Sequence, residues 1–348
     1  MSKTRPSYVS SALVVALVAV FALSAITPAI AQQRKPLRWA TSAVGSFAYG
    51  AAASMTKMIE QALGGEYTIT VHPYPSPTVA MKQVMDGSGE IAYTSDIGMT
   101  EFHQRVGGFK DYKPKVTELA HAWYAYPQET MMAIAAKNAD KFKCLRDFSG
   151  KPVFFTNAGF MNWLNMERVF KVLGYEFKHV QIDLNSNADA LQSGTIVGSA
   201  TYTTAGRSLP AYWKETEVRI DIRIVNPCPD ELAKIKAAGL TVMEIDAKGA
   251  FSKSVGPSTL LGVAILLGYN AGTNIPEDVI YKMVTALYKN KDDLAKTEPG
   301  FTPLARDFVG MQVQGINANP DIPVHPGLAK FLKEHKAWGA KWKVAGSK

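Results

Sequence analysis

The chain has little that points to catalysis or to nucleic acid. A zinc-protease helix, a phosphate-binding loop with its lysine, a Gly-x-Ser-x-Gly nucleophile elbow and a Cys-x-x-Cys pair are all missing from the sequence. The histidines, at positions 72, 103, 121, 179, 325 and 335, show no local metal-ligand spacing and read as core or surface residues. Lys and Arg are scattered, with no basic run and no aromatic-rich RNA motif, which speaks against nucleic acid. No low-complexity tract interrupts a composition that is 47% hydrophobic and 20% charged. No metal, cofactor or catalytic residue is therefore expected, and the acidic pairs Glu277-Asp278 and Asp292-Asp293 read as exposed helix positions.

Long apolar runs are also scarce. Lys3 and Arg5 precede an apolar stretch from Ala12 to Ala25, and Ala29-Ile30-Ala31 has the small-x-small form of a signal-peptidase site. The stretch is shorter than the ~20 residues of a membrane span, and polar Gln32-Gln33-Arg34-Lys35 follows at once. Residues 1–31 are expected to be a cleaved signal peptide, which places the mature protein in the periplasm. Its net charge would then fall from +8 to +6, a mild positive field suited to an anionic small ligand. Only two cysteines are present, Cys144 and Cys228. In an oxidising compartment they either pair, closing a long loop worth about 4 kcal/mol in the chain-entropy model, or stay as two buried thiols.

What is present is an alternation of strands and helices. Leu37 to Thr41 reads as a strand and Ser42 to Gly50 as a loop of small residues. A helix follows from Ala51, with Ala52, Met55, Met58, Ile59, Ala62 and Leu63 on one face and Gly64-Gly65 as its stop. Tyr67 to His72 alternates like a strand, Pro73 to Pro77 is turn-rich, Val79 to Met85 is a short helix, and Ile91 to Thr94 is another strand. A second set begins with strands at Met131 to Ala135 and Val153 to Thr156. Asn162 then caps a helix whose core face is Trp163, Met166, Val169, Phe170 and Leu173, ended by Gly174. The apolar strand Gly262 to Leu267 precedes Pro276-Glu277-Asp278, a helix start followed by the stripe Val279, Ile280, Met283, Val284, Leu287 and Tyr288. This pattern predicts an α/β fold with a largely parallel sheet.

A strand that ends in small residues and enters a helix aims backbone N–H groups at any anion on the helix N-terminus. Ser42 to Gly50 and Asn157 to Asn162 both have this form, and two such loops facing each other would make a cleft. The plainer reading is that each is a tight connection, with Phe47, Tyr49 and Phe160 packing on the core instead of on a ligand.

Several segments carry a family likeness. Trp39-Ala40-Thr41-Ser42-Ala43-Val44-Gly45-Ser46-Phe47-Ala48-Tyr49-Gly50 corresponds to a glycine- and threonine-rich loop, and Gly89-Glu90-Ile91-Ala92-Tyr93-Thr94-Ser95-Asp96 to a strand ending in Ser-Asp. Gly150-Lys151-Pro152-Val153 through Gly159, Leu173-Gly174, Ile275 to Tyr281 and Pro323-Val324-His325-Pro326-Gly327 follow in order. On these segments the chain resembles the TAXI family of TRAP transporter solute receptors over essentially the whole mature length. The resemblance implies a two-lobed type II periplasmic-binding-protein fold, each lobe a mixed sheet flanked by helices, with a hinge. Lobe I would hold residues 32–126 and 258–348 and lobe II residues 127–257, with hinges near Tyr124 to Glu129 and Phe251 to Ser258. It also implies a ligand pocket of Ser46, Phe47, Tyr49, Thr78, Ser95, Gly159, Phe160 and Asn162. Gly159-Phe160-Met161-Asn162 stands where the family has Gly-Ser-Gly-Thr, and Phe47 and Ala48 replace a threonine and a tyrosine. These bulkier walls point to a ligand with an apolar or aromatic part.

The expected function is a solute-binding receptor, not an enzyme. It would capture a carboxylate-bearing metabolite or amino acid and deliver it to TRAP membrane permease subunits. A stand-alone periplasmic sensor for a signalling partner is a second reading on the same fold. A hydrolase or transferase hidden in the cleft is a third, and would need a pairing such as His72 with Ser76.

Overall fold

The first strand shows how the sequence builds the sheet: in Lys35–Thr41 (β1) Leu37 and Trp39 are buried while Arg38 between them stays partly exposed. The computed structural model describes Met1 and residues 34–347; apart from Met1, the expected signal peptide lies outside the described residues. From Lys35 onward the chain forms one compact unit. Its strands are β1, β2 (Tyr67–Pro73), β3 (Ile91–Ser95), β4 (Ala120–Ala135), β5 (Pro152–Phe154), β6 (Lys178–His179), β7 (Gly198–Thr204), β8 (Ile222–Val225), β9 (Val242–Asp246) and β10 (Thr259–Ala271).

All belong to one sheet of order β2-β1-β3-β10-β4-β7-β5-β6, with β8 on β4 and β9 on β10. The flanks are parallel, β2-β1-β3 on one side and β7-β5-β6 on the other. The centre is antiparallel, because β10 returns between β3 and β4. The sheet is thus mixed, as the resemblance implies, and not largely parallel as the alternation of elements alone predicts.

β4 and β10 are long enough to serve both flanks. The end of β10 (Leu267 to Ala271) pairs with β3, and its start (Thr259 to Val263) with β9. β4 pairs with β7 from Gln128 to Ala133 and with β8 from Met132 to Ala135. Tyr124 to Glu129, expected as a hinge, is the middle of β4, and Phe251 to Ser258 leads into β10. Gly268 marks a register shift in the β4–β10 ladder, where a Cβ would stand 2.3 Å from the Trp123 carbonyl oxygen. Beside it Trp39, Trp123 and Tyr269 lock β1, β4 and β10 together, with ring centroids of Trp123 and Tyr269 5.2 Å apart and stacked.

The C-terminal helices return to the first flank. Pro276 precedes the helix Glu277–Lys289, whose stripe Val279, Ile280, Met283, Val284 and Leu287 is buried. The helix Phe308–Ala318 is tied to the centre of β4 by Gln312, whose Oε1 accepts from Tyr124 N–H at 2.7 Å while its Nε2 donates to the Tyr124 carbonyl at 2.9 Å.

Cys144 and Cys228 form a disulfide across 84 residues, with Cα atoms 5.2 Å apart. The bond joins the segment before β5 to the start of the helix Pro229–Ala237. Glu231 beside it is fully buried and accepts from the backbone N–H groups of Leu145, Arg146 and Cys228 and from the Tyr175 hydroxyl. Among the described residues no helix is long and apolar enough to cross a membrane.

Candidate functional site

The parallel strands of each flank deliver helix N-termini to one edge. β1, β2 and β3 lead into the helices Phe47–Ala62, Pro77–Met85 and Asp96–Gln104, and β5 leads into Met161–Leu173. Serine caps the first three: Ser46, Ser76 and Ser95 accept from the backbone N–H groups of Tyr49, Val79 and Gly98. The expected loop Ser42 to Gly50 is therefore shorter, since the helix begins at Phe47 under the Ser46 cap. In the fourth helix the cap position is Phe160, without a side-chain bond. Asn162 lies inside the first turn and is no cap, because its amide is engaged elsewhere: Nδ2 donates to Gln128 Oε1 at 2.8 Å and Oδ1 accepts from Thr130 at 2.5 Å.

A cavity opens where these helices meet. It is lined from one side by Ser42, Ser46, Ala48, Pro77 and Tyr93, and from the other by Gln128, Phe160, Met161, Asn162 and Tyr202. Its volume is about 10 Å³, room for roughly one water. No lysine, arginine, histidine or carboxylate lines it. The available polar groups are hydroxyls, amides and helix N-termini, with the Ser42 hydroxyl buried and without a partner among the described residues. Burial pushes the phenols of Tyr93 and Tyr202 well above their ordinary value, so both stay neutral donors. Such a wall can hold a carboxylate through dipoles and N–H groups without a counter-charge.

Of the residues expected in the pocket, Ser46, Phe160 and Asn162 line this cavity. Thr78 and Ser95 instead join the two sides: Thr78 Oγ1 donates to the Gly159 carbonyl at 3.2 Å and Ser95 Oγ to Met161 Sδ at 2.9 Å. Gly159 supplies that carbonyl from a left-handed backbone, φ +85°. Phe47 packs behind the wall against Tyr126 and Phe301, and Tyr49 is half-exposed with its N–H on Ser46. Sequence reasoning passed over Tyr93, Gln128 and Tyr202, and named Ser42 only as part of its loop. The hydrolytic pairing is not assembled, since His72 bonds Thr70 and Ser76 caps its own helix. Cys144, Cys228 and Glu231 cluster, but both sulfurs are taken by the disulfide.

A sequence model described as the NMT1-like family matches residues 39–335. No curated protein matches the chain. Among solved structures the chain is similar to MatC from Rhodopseudomonas palustris with bound malate, at 13% identity and a TM-score of 0.55, over 82% of this chain and 96% of that one. It is also similar, at 14% identity and a TM-score of 0.46, to a putative L-cystine ABC transporter from Listeria monocytogenes, over 77% and 95% of the two chains. A Bordetella bronchiseptica protein gives 15% identity and a TM-score of 0.47 over 90% and 93%. At these identities the likeness is one of fold, the α/β architecture of type II periplasmic binding proteins.

Proposed function

The chain belongs to the NMT1-like family, and from that premise we propose that it is an extracytoplasmic solute receptor whose cleft takes a small organic acid or amino acid and hands it to a membrane transporter. The observation that carries the reading is the uncharged cavity closed from both flanks by helix N-termini, hydroxyls and amides. Malate in MatC supports an organic acid as the class of solute. The resemblance to TAXI receptors supports a TRAP-type permease as the partner. The partner change of β4 near Pro127 supports a lobe boundary between residues 126 and 127, while the second crossing falls inside β10, after the stretch Thr259 to Val263 that pairs with β9, and not at 257/258. A cavity of about 10 Å³ does not admit such a solute, so capture requires the flanks to part and close again.

The test is a thermal-shift screen of residues 32–348 against amino acids, dicarboxylates, keto acids and aromatic acids, followed by calorimetry. A solute at 100 times its Kd raises stability by ~2.7 kcal/mol. Ser42→Ala and Gln128→Ala are each expected to weaken the hit about tenfold, as the loss of one hydrogen bond to a charged group does. Consumption of the solute would overturn the receptor reading in favour of an enzyme. A tight hit in a strain whose transport of that solute is independent of this protein would favour a sensor.

A further inference from the structure

A second cavity, of about 440 Å³, lies beside the crossing strands and shares no lining residue with the first. Asp96, Thr100, Pro127, Arg168, Gln314 and Asn317 are among its walls. The Ser95–Met161 contact stands between the two, since Met161 lines the first cavity and Ser95 adjoins Asp96.

Two opposite charges face this space without bonding each other. Arg168, on the helix Met161–Leu173, uses one Nη to donate to Asn165 Oδ1 at 2.8 Å, and its buried Nε has no acceptor among the described residues. The Asp96 carboxylate, at the start of the helix Asp96–Gln104, accepts from its neighbour Ile97 N–H at 2.9 Å, and among the described residues no side chain donates to it. Each charge favours the ionised form of the other, yet among the described residues the two make no hydrogen bond or ion pair. A guanidinium with unused donors and a carboxylate that no side chain engages line one space and make it dipolar.

We propose that this cavity is a binding site for a small zwitterion of α-amino-acid size, its carboxylate on Arg168 and its ammonium on Asp96. A lone anion would satisfy Arg168 but meet the Asp96 carboxylate, and a lone cation the reverse; only a molecule bearing both charges suits both ends. The volume fits such a molecule with its bridging waters. The two charges ride on helices from different flanks, so occupancy favours the arrangement in which they face each other and thereby biases closure. The site is independent of the solute proposed for the first cavity.

Burial pushes the Asp96 carboxyl up to about 6, with Arg168 pulling it back. The groups facing it are Arg168, the Tyr124 hydroxyl with its partner His121, and the uncharged Thr100, Gln314, Asn317 and Asn319. Ammonium binding needs the ionised carboxylate, so affinity falls as pH drops through about 6.

Calorimetry with glycine, acetate and methylammonium on residues 32–348 tests this. Glycine should bind, with acetate and methylammonium at least tenfold weaker. Arg168→Gln and Asp96→Asn should each lose glycine at least tenfold while Ser42→Ala and Gln128→Ala retain it, and binding should weaken from pH 7 to pH 5. Arg168→Lys, with an unchanged melting curve, keeps the test readable if Arg168→Gln does not fold. No glycine binding, binding unchanged by Arg168 and Asp96 variants, or loss only with Ser42 and Gln128 variants would each overturn the proposal, the last by moving glycine to the first cavity.

Discussion

At Gly159 a single missing methyl decides whether the two sides of the cleft can touch. Its φ of +85° strains any L side chain, and a Cβ there would stand 2.8 Å from Ser76 Oγ. Gly159→Ala is expected to lower stability by about 1–3 kcal/mol, read by urea denaturation, and to weaken solute binding through the lost Thr78 contact. Single residues were only partly legible in the sequence. Asn162 stood out by its place before an apolar helix, but spacing could not show that Gln128 and Thr130, more than 30 residues away, hold its amide. The Ser42 hydroxyl lay in a loop whose backbone signal was clear, whereas Tyr93 and Tyr202 sit on strands where a tyrosine reads as ordinary core.

Some elements on the flanks were legible because one face is wet, whereas β7, buried throughout, was passed over. The helix Glu277–Lys289 announced itself by its Pro-Glu-Asp start and apolar stripe, and β1 and β2 by alternation. β4 was legible only at its end, Met131 to Ala135, because nearly all of its 16 residues are buried and period-2 alternation vanishes, while Pro127 argues locally against a strand. The second flank depends on a covalent tie of the kind a sequence leaves open. Cys144→Ser with Cys228→Ser is expected to cost about 4–5 kcal/mol for an 84-residue loop, measured as a lower denaturant midpoint. Glu231→Ala should cost about 3 kcal/mol or more, since it strands three backbone N–H groups and the Tyr175 hydroxyl at the same place.

For the molecule as a whole, buried titratable groups set a pH window for stability. Burial holds His121 and His325 down at about 4. The unfolded chain takes up protons from pH 6.5 downward before the folded one does, so stability falls between pH 6.5 and about 4, by up to about 3 kcal/mol per histidine. Glu129 acts on the other side: burial raises it from 4.5 to about 7, so its contribution is complete below pH 4.5 and is lost as pH rises through 7. Relative to the wild type, Glu129→Gln should therefore gain melting temperature as pH rises from 4.5 to 7 and hold a constant difference above pH 7. The place of β10 bears on a different stage of the protein's life. It fills the gap between β3 and β4, so a nascent chain lacking Thr259 to Ala271 leaves the edges of β3 and β4 with no centre to join them. Contacts such as Thr130 with Val263 span more than 130 residues, and loop closure of that length makes folding slow. The two sides of the sheet therefore stay unjoined until residue 271 of 348 has been made, and a version ending at Ser258 should show no cooperative unfolding transition.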